Sequence, residues 1–173
     1  MKMKHLSLLC FIIFTALVPC SCNPEPNNLK ANSLEELAFL SIKKIVDGDT
    51  FWVEDGTEKG LKIRLIGVDA PESRKTFKKE VGFYGKEAKA YLTSLLKGKK
   101  VKLEYDVKRT DQYGRTLAYV YLPDGTFINA DLVKNGYATI MTVPPNVKFA
   151  EEFLKLQQEA RENERGLWGV ILE

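Results

Sequence analysis

Beyond Cys22 this 173-residue chain contains no cysteine, and its one histidine is His5; the other cysteines, Cys10 and Cys20, also lie near the N-terminus. Zinc sites built from His and Cys, thiol nucleophiles, histidine-based triads and internal disulfides are therefore closed to the body of the chain. Net charge is also scarce. The formal +3 falls to +1 once Lys2 and Lys4 are set aside with the leader, so any attraction for a polyanion has to be local rather than general. There is no internal repeat and no low-complexity segment. What remains for chemistry is carboxylates, arginines and a hard metal ion.

The N-terminus reads as an export signal. Lys2 and Lys4 precede an apolar run over residues 6–18, too short for the roughly 20 residues of a spanning helix and suited to a signal core. It ends in LVPCSCN, which resembles a relaxed bacterial lipoprotein box. Cys22 is the favoured lipidation site, because Ser21 is small at the cleavage position whereas Pro19 hinders cleavage before Cys20, the alternative. The expected organisation is a lipoprotein-type signal over 1–22, a flexible tether over 23–36 (NPEPNNLKANS at its heart) and one globular domain over 37–173. The expected location is the cell envelope, lipid-anchored to a bacterial membrane; an ordinary cleaved signal and a secreted protein is the alternative.

Apolar and β-branched runs predict strands at 39–46, 50–54, 61–68, 101–105 and 117–122, with a further short one near Phe127. Helical spacing predicts helices at 85–97, 129–134 and 147–165, the first stopping at Gly98 and the last at Gly166. This pattern is α+β: a small barrel with appended helices, with no βαβ alternation that demands a parallel sheet.

The charged residues are distributed with purpose. Asp49 in DGDT opens one strand and Asp69 in RLIGVDAPE closes another, so neighbouring strands of a barrel can bring the two carboxylates to one rim. Hard oxygen donors of this kind suit calcium or magnesium, with backbone carbonyl and water completing the shell. Glu72 follows Asp69 after Pro71 has stiffened the turn, where it can orient or deprotonate a water. Arg64 and Arg115 (in RTDQYGR) can fork onto phosphate oxygens and stabilise negative charge added at phosphorus. Three acids, two arginines and one divalent ion leave about +1, enough to hold a phosphodiester. Taken singly each motif also has a structural reading: DGD as a turn, Arg64 as an ion-pair partner, Asp69 as a turn cap, RTDQYGR as an exposed loop. The order and spacing of the set carry the functional one. The loop RKTFKKEVG, with Arg74, Lys75, Lys78 and Lys79, is either a basic rim for a polyanion or an ordinary solvated loop.

Together VDGDT, RLIGVDAPE, YGKEA, RTDQYGRTLAYVY, INADLVKNGYA and a last helix ending in RGLW resemble the staphylococcal nuclease family over roughly 130 residues. That resemblance implies an OB-type five-stranded β-barrel with three helices. It implies Ca2+ bound by Asp49, Asp69 and the backbone carbonyl of Ala70, with Glu72 as general base or water-positioning group. Arg64 and Arg115 become phosphate-binding and catalytic residues, with Tyr113 beside Arg115 a substrate-binding one; Lys78 and Lys79 join it as substrate-binding candidates on the basic-rim reading of their loop. The implied reaction is calcium-dependent cleavage of DNA and RNA to 3'-phosphorylated and 5'-hydroxyl products, with little base specificity. Gln112 stands where the family's best-known member has lysine, and Thr142 and Pro144 where it has pocket tyrosines, so weaker base stacking is expected. A monomer with no protein partner is expected. The alternative is a catalytically silent OB-type module that binds nucleic acid or protein.

Overall fold

The computed structural model describes residues 39–75 and 80–169; the leader, the tether, Cys20, Cys22, Lys78 and Lys79 lie outside the described residues. In chain order the elements are β1 (Leu40–Asp47), β2 (Thr50–Val53), β3 (Leu61–Leu65), β4 (Gly67–Asp69), α1 (Gly85–Leu96), β5 (Lys100–Glu104), β6 (Thr116–Tyr121), α2 (Ile128–Lys134), β7 (Thr139–Met141) and α3 (Ala150–Glu162). A single 3-10 turn, Gly166–Trp168, follows. Every second residue of the central strands points inward: Phe51 and Val53, Ile63 and Leu65, Ala118 and Val120 are all buried. Burying each large side chain of this kind contributes about 1.5 to 3 kcal/mol.

The strands close into a barrel in the order β1-β2-β3-β6-β5, which bears out the five-stranded barrel with three helices. All pairings but one are antiparallel. The exception is β3 with β6, which run parallel with Arg64 opposite Leu117 and form the closing seam of the barrel. Local βαβ pattern could not reveal this pair, because long intervening sequence separates its strands.

The expected strand at 61–68 is two strands. After Leu65 the chain turns at Gly67, whose φ of +79° is left-handed. A Cβ there would meet the ring of Phe153 at 2.6 Å, so helix α3 packs directly on the bare backbone. The continuation, β4, leaves the barrel and pairs antiparallel with β7. Buried Asn129 fixes this corner: its Oδ1 accepts the Val120 N–H at 3.0 Å while its Nδ2 donates to the Ile66 carbonyl at 2.9 Å. The last helix is shorter than expected at both ends. It stops at Glu162 because Glu164 takes φ +49° and Gly166 φ +54°, folding the chain back so that Leu167 N–H donates to the Gly136 carbonyl at 2.8 Å.

Candidate active site

At the end of the barrel where β1 hands over to β2 and β6 begins, a cavity of about 330 Å3 opens. Asp49, Arg64, Asp69, Glu72 and Arg115 all line it. Residues far apart in sequence arrive there because β2 and β3 are paired with Thr50 opposite Arg64, and β3 and β6 with Arg64 opposite Leu117.

Arg64 is the centre of the charge arrangement. Its Nη1 lies 2.9 Å from Oδ2 of Asp49 and its Nη2 2.7 Å from Oδ1 of Asp69, so one guanidinium joins the two carboxylates. The same Nη1 donates to the Val68 carbonyl at 2.7 Å. Asp49 is held further by the Ala70 N–H on Oδ2 (3.0 Å) and the Thr50 hydroxyl on Oδ1 (2.7 Å). Arg64 and Asp49 are both buried, whereas the Asp69 side chain is 46 % exposed and faces a wetter environment. A buried charged pair of this kind persists only when its remaining donors and acceptors are matched, as they are here.

The loop that carries Glu72 is gripped on two sides. Oδ1 of Asp47 accepts the N–H groups of Gly48 and Ser73, each at 3.0 Å, and the Gly82 N–H donates to the Glu72 carbonyl at 2.9 Å. The start of α1 comes so close that a Cβ on Gly85 would lie 2.1 Å from that carbonyl oxygen, so only glycine fits. Asp47 was not singled out in the sequence; the signal was the pairing of two aspartates around Gly48, both of which line the cavity, with Asp47 also anchoring the Glu72 loop.

Arg115 stands on the opposite wall. Its Nε pairs with Oδ2 of Asp111 at 2.6 Å, and its guanidinium carbon lies 5.3 Å from the ring centroid of Tyr113. Burial pushes the Asp111 carboxyl up, but hydrogen bonds from the Arg115 backbone and side chain and from the Tyr113 backbone outweigh it, leaving the group below its ordinary value. Asp111 is thus a charged anchor for Arg115 at neutral pH. Tyr113 itself is 72 % exposed.

Beyond Arg64 and Arg115 lies a second cavity of about 310 Å3 with mainly apolar walls. Tyr113, Gln112 and Pro144 line it, joined by Met141 and Val143. Thr142 is not among its lining residues. Strand β7, which was not anticipated, brings Met141 to the border of both cavities.

The donor set suits a hard cation. Two carboxylates, Asp49 and Asp69, are drawn to one wall, and the chain has no cysteine or histidine beyond Cys22 to compete as a ligand. Among the described residues no group of three or more acidic side chains could hold an ion alone, so a bound ion would have to draw on backbone oxygen and water as well.

A closed five-stranded barrel with three helices and a mouth lined by acids and arginines defines a small OB-type domain built around a charged cavity. The family model described as Staphylococcal nuclease homologue matches residues 62–170, and the chain belongs to that family. Asp47 and Asp49 precede the matched stretch. The chain is 41 % identical over 128 residues to a thermonuclease of Staphylococcus intermedius, covering 73 % of this chain and 74 % of that protein. It is 36 % identical over 171 residues to a thermonuclease of Staphylococcus hyicus, covering 96 % of this chain and 99 % of that one. Endonuclease YncB of Bacillus subtilis is 35 % identical over 136 residues, covering 78 % of this chain and 63 % of that protein.

Proposed function

We propose that this protein is a calcium-dependent nuclease that hydrolyses phosphodiester bonds in DNA and RNA. The observation that carries the reading is that Asp49, Arg64, Asp69, Glu72 and Arg115 line one cavity. Membership of a family with thermonucleases and endonucleases among its relatives supports it.

In this reading Asp49, Asp69 and the Ala70 carbonyl would hold the ion. When bound, calcium would polarise a phosphoryl oxygen and offset the charge that builds on it. Arg64 and Arg115 grip the phosphate from two walls of the cavity and favour the five-coordinate phosphorus over the ground state. Glu72 orients the attacking water and takes its proton. The water oxygen bonds to phosphorus, the bond to the 5'-oxygen breaks with its electron pair going to that oxygen, and the oxygen, its charge offset by Arg115, takes a proton from solvent water to leave as a hydroxyl, so the phosphate stays on the 3' side. The exposed Tyr113 ring and the apolar second cavity offer a base contact without hydrogen-bond readout, which favours little base specificity. Lys78 and Lys79 would add a basic rim.

The test is cleavage of single-stranded DNA and RNA by the purified full-length chain, with calcium or with excess chelator. Cleavage should require calcium, and end-group analysis should find 3'-phosphates. Glu72→Gln should slow turnover about 10^2- to 10^4-fold, and Arg115→Ala about 10^2- to 10^3-fold. Binding without cleavage would instead identify a silent OB-type module.

We further propose a lipoprotein-type signal over 1–22, a tether over 23–36 and the nuclease domain over 37–173, with the chain exported as a monomer and anchored at Cys22. Replacing Cys22 with Ala should move the protein from the membrane fraction to the soluble fraction; an unchanged distribution would reject Cys22 as the anchor and leave Cys20 to be tested.

A further inference from the structure

The reaction cavity is charge-balanced. Its walls carry Asp47, Asp49, Asp69 and Glu72 against Lys62, Arg64, Arg74 and Arg115, so the protein's own groups exert little net pull on an incoming polyanion. The compensating charge lies next door. Along the exposed side of α1 runs a groove of about 600 Å3 lined by Arg74, Lys86, Lys89 and Lys97, with the hydroxyls of Thr93 and Ser94 between them and no acidic residue. Among the described residues none of these four cations takes part in an ion pair. Arg74 lines both the groove and the reaction cavity, so the two lie side by side.

We infer that this groove is an exosite for the phosphate backbone of the substrate strand as it leaves the reaction cavity past Arg74. The inference rests on the nuclease reading above for the strand's starting point. From Lys86 to Lys97 the helix advances about 16 Å, room for several phosphates of a strand. Lys86 and Lys89 are an odd choice for the helix itself, whereas Lys97 at its C-cap suits the dipole. Lys86 lies in the first turn, at the positive end of the macrodipole, and Lys86 and Lys89 crowd like charges three residues apart. A surface that opposes local helix electrostatics in this way is explained by an anion that neutralises it. The hydroxyls of Thr93 and Ser94 bond back to the Lys89 and Tyr91 carbonyls, so the groove offers point charges rather than a base-reading edge.

The test compares the full-length chain with a variant carrying Lys86→Gln, Lys89→Gln and Lys97→Gln. Binding of a labelled oligothymidine of about 20 nucleotides, longer than the 4 to 16 that one OB fold covers, is followed by fluorescence anisotropy in chelator across a salt series. Each neutralised phosphate contributes about 0.7 to the slope of log affinity against log salt. The triple variant should therefore lose about 2 from that slope, and the two proteins' affinities should converge as salt rises. Removing Lys86 and Lys89 relieves the start of the helix while losing Lys97 gives up a favourable charge at its end, so the variant should melt close to the parent, and the Lys→Arg triple should keep the parent slope. An unchanged slope in a folded triple variant overturns the exosite, even if the chain cuts DNA. A reduced slope in a chain that fails to cut supports the exosite and sinks the nuclease reading alone. Lysine-dependent binding to phosphatidylserine vesicles with an unchanged DNA slope would also overturn it, assigning the groove to lipid headgroups.

Discussion

Burying a guanidinium is costly unless its charge and its donors are matched, and Arg64 has two aspartates and the Val68 carbonyl to match them. Removing it would leave Asp49 buried without its cation, while Asp69 is exposed enough for water to take over. Arg64→Ala should therefore lower stability by about 3 kcal/mol, the lower end for breaking a buried pair, measured by urea unfolding. Because the two aspartates are also the proposed ion ligands, calcium should narrow the gap between variant and parent. If added calcium leaves that gap unchanged, Asp49 and Asp69 do not share an ion. Arg64, the proposed phosphate grip, thus also joins the two proposed ion ligands in the resting protein.

At the scale of elements, the start of α1 controls the Glu72 loop. Gly85→Ala would place a methyl 2.1 Å from the Glu72 carbonyl oxygen and force that peptide aside. A shift of about 1 Å in a reacting group can cost about 10^2 in rate. We expect cleavage by Gly85→Ala to fall by that order while the barrel still unfolds cooperatively; full activity would mean that Glu72 tolerates displacement. Sequence pattern located these elements well where one rule governed. An apolar, β-branched run gave β2 within one residue, and apolar spacing with Gly98 gave α1 within one residue at its end. It failed where tertiary contact decided. The 61–68 run looks continuous because every position but Lys62 is apolar or part of the motif, and the break comes from tertiary contacts, the packing of Phe153 on Gly67 and the hydrogen bonds of Asn129. β7 was missed because TIM is too short to register a period of two and gains its partner only when β4 peels off the barrel. In the site, Arg64, Asp69 and Glu72 were legible because they sit close together in RLIGVDAPE. Lys62 was not assigned to the cavity because nothing local marks a residue that reaches it from another strand, while Asp47 was passed over beside Asp49 and Arg74 was read only as part of a basic loop.

For the molecule as a whole, Asp106 ties the end of β5 to the approach to α3. Its Oδ2 accepts the Tyr119 hydroxyl at 3.1 Å and the Lys148 N–H at 3.3 Å. Burial raises the Asp106 carboxyl's pKa, but hydrogen bonds from the Val107 and Lys148 backbones and from Tyr119, with the Lys148 charge, prevail and hold it below its ordinary 3.8. A carboxylate with a depressed folded-state pKa contributes stability above about 3.8 and loses it as pH falls through the lower folded value. Asp106→Asn should therefore melt below the parent at pH 7, with the two melting temperatures approaching each other only under pH 3.8; a gap independent of pH would exclude the ionised form as the stabilising one. The parallel seam between β3 and β6 has its own bearing on a nuclease. Arg64 acquires its neighbour Leu117 only after the 53 further residues that lead to it have been synthesised. A nascent chain, still close to the ribosome's own RNA, therefore carries every residue of the acidic wall well before it can assemble a working cleft.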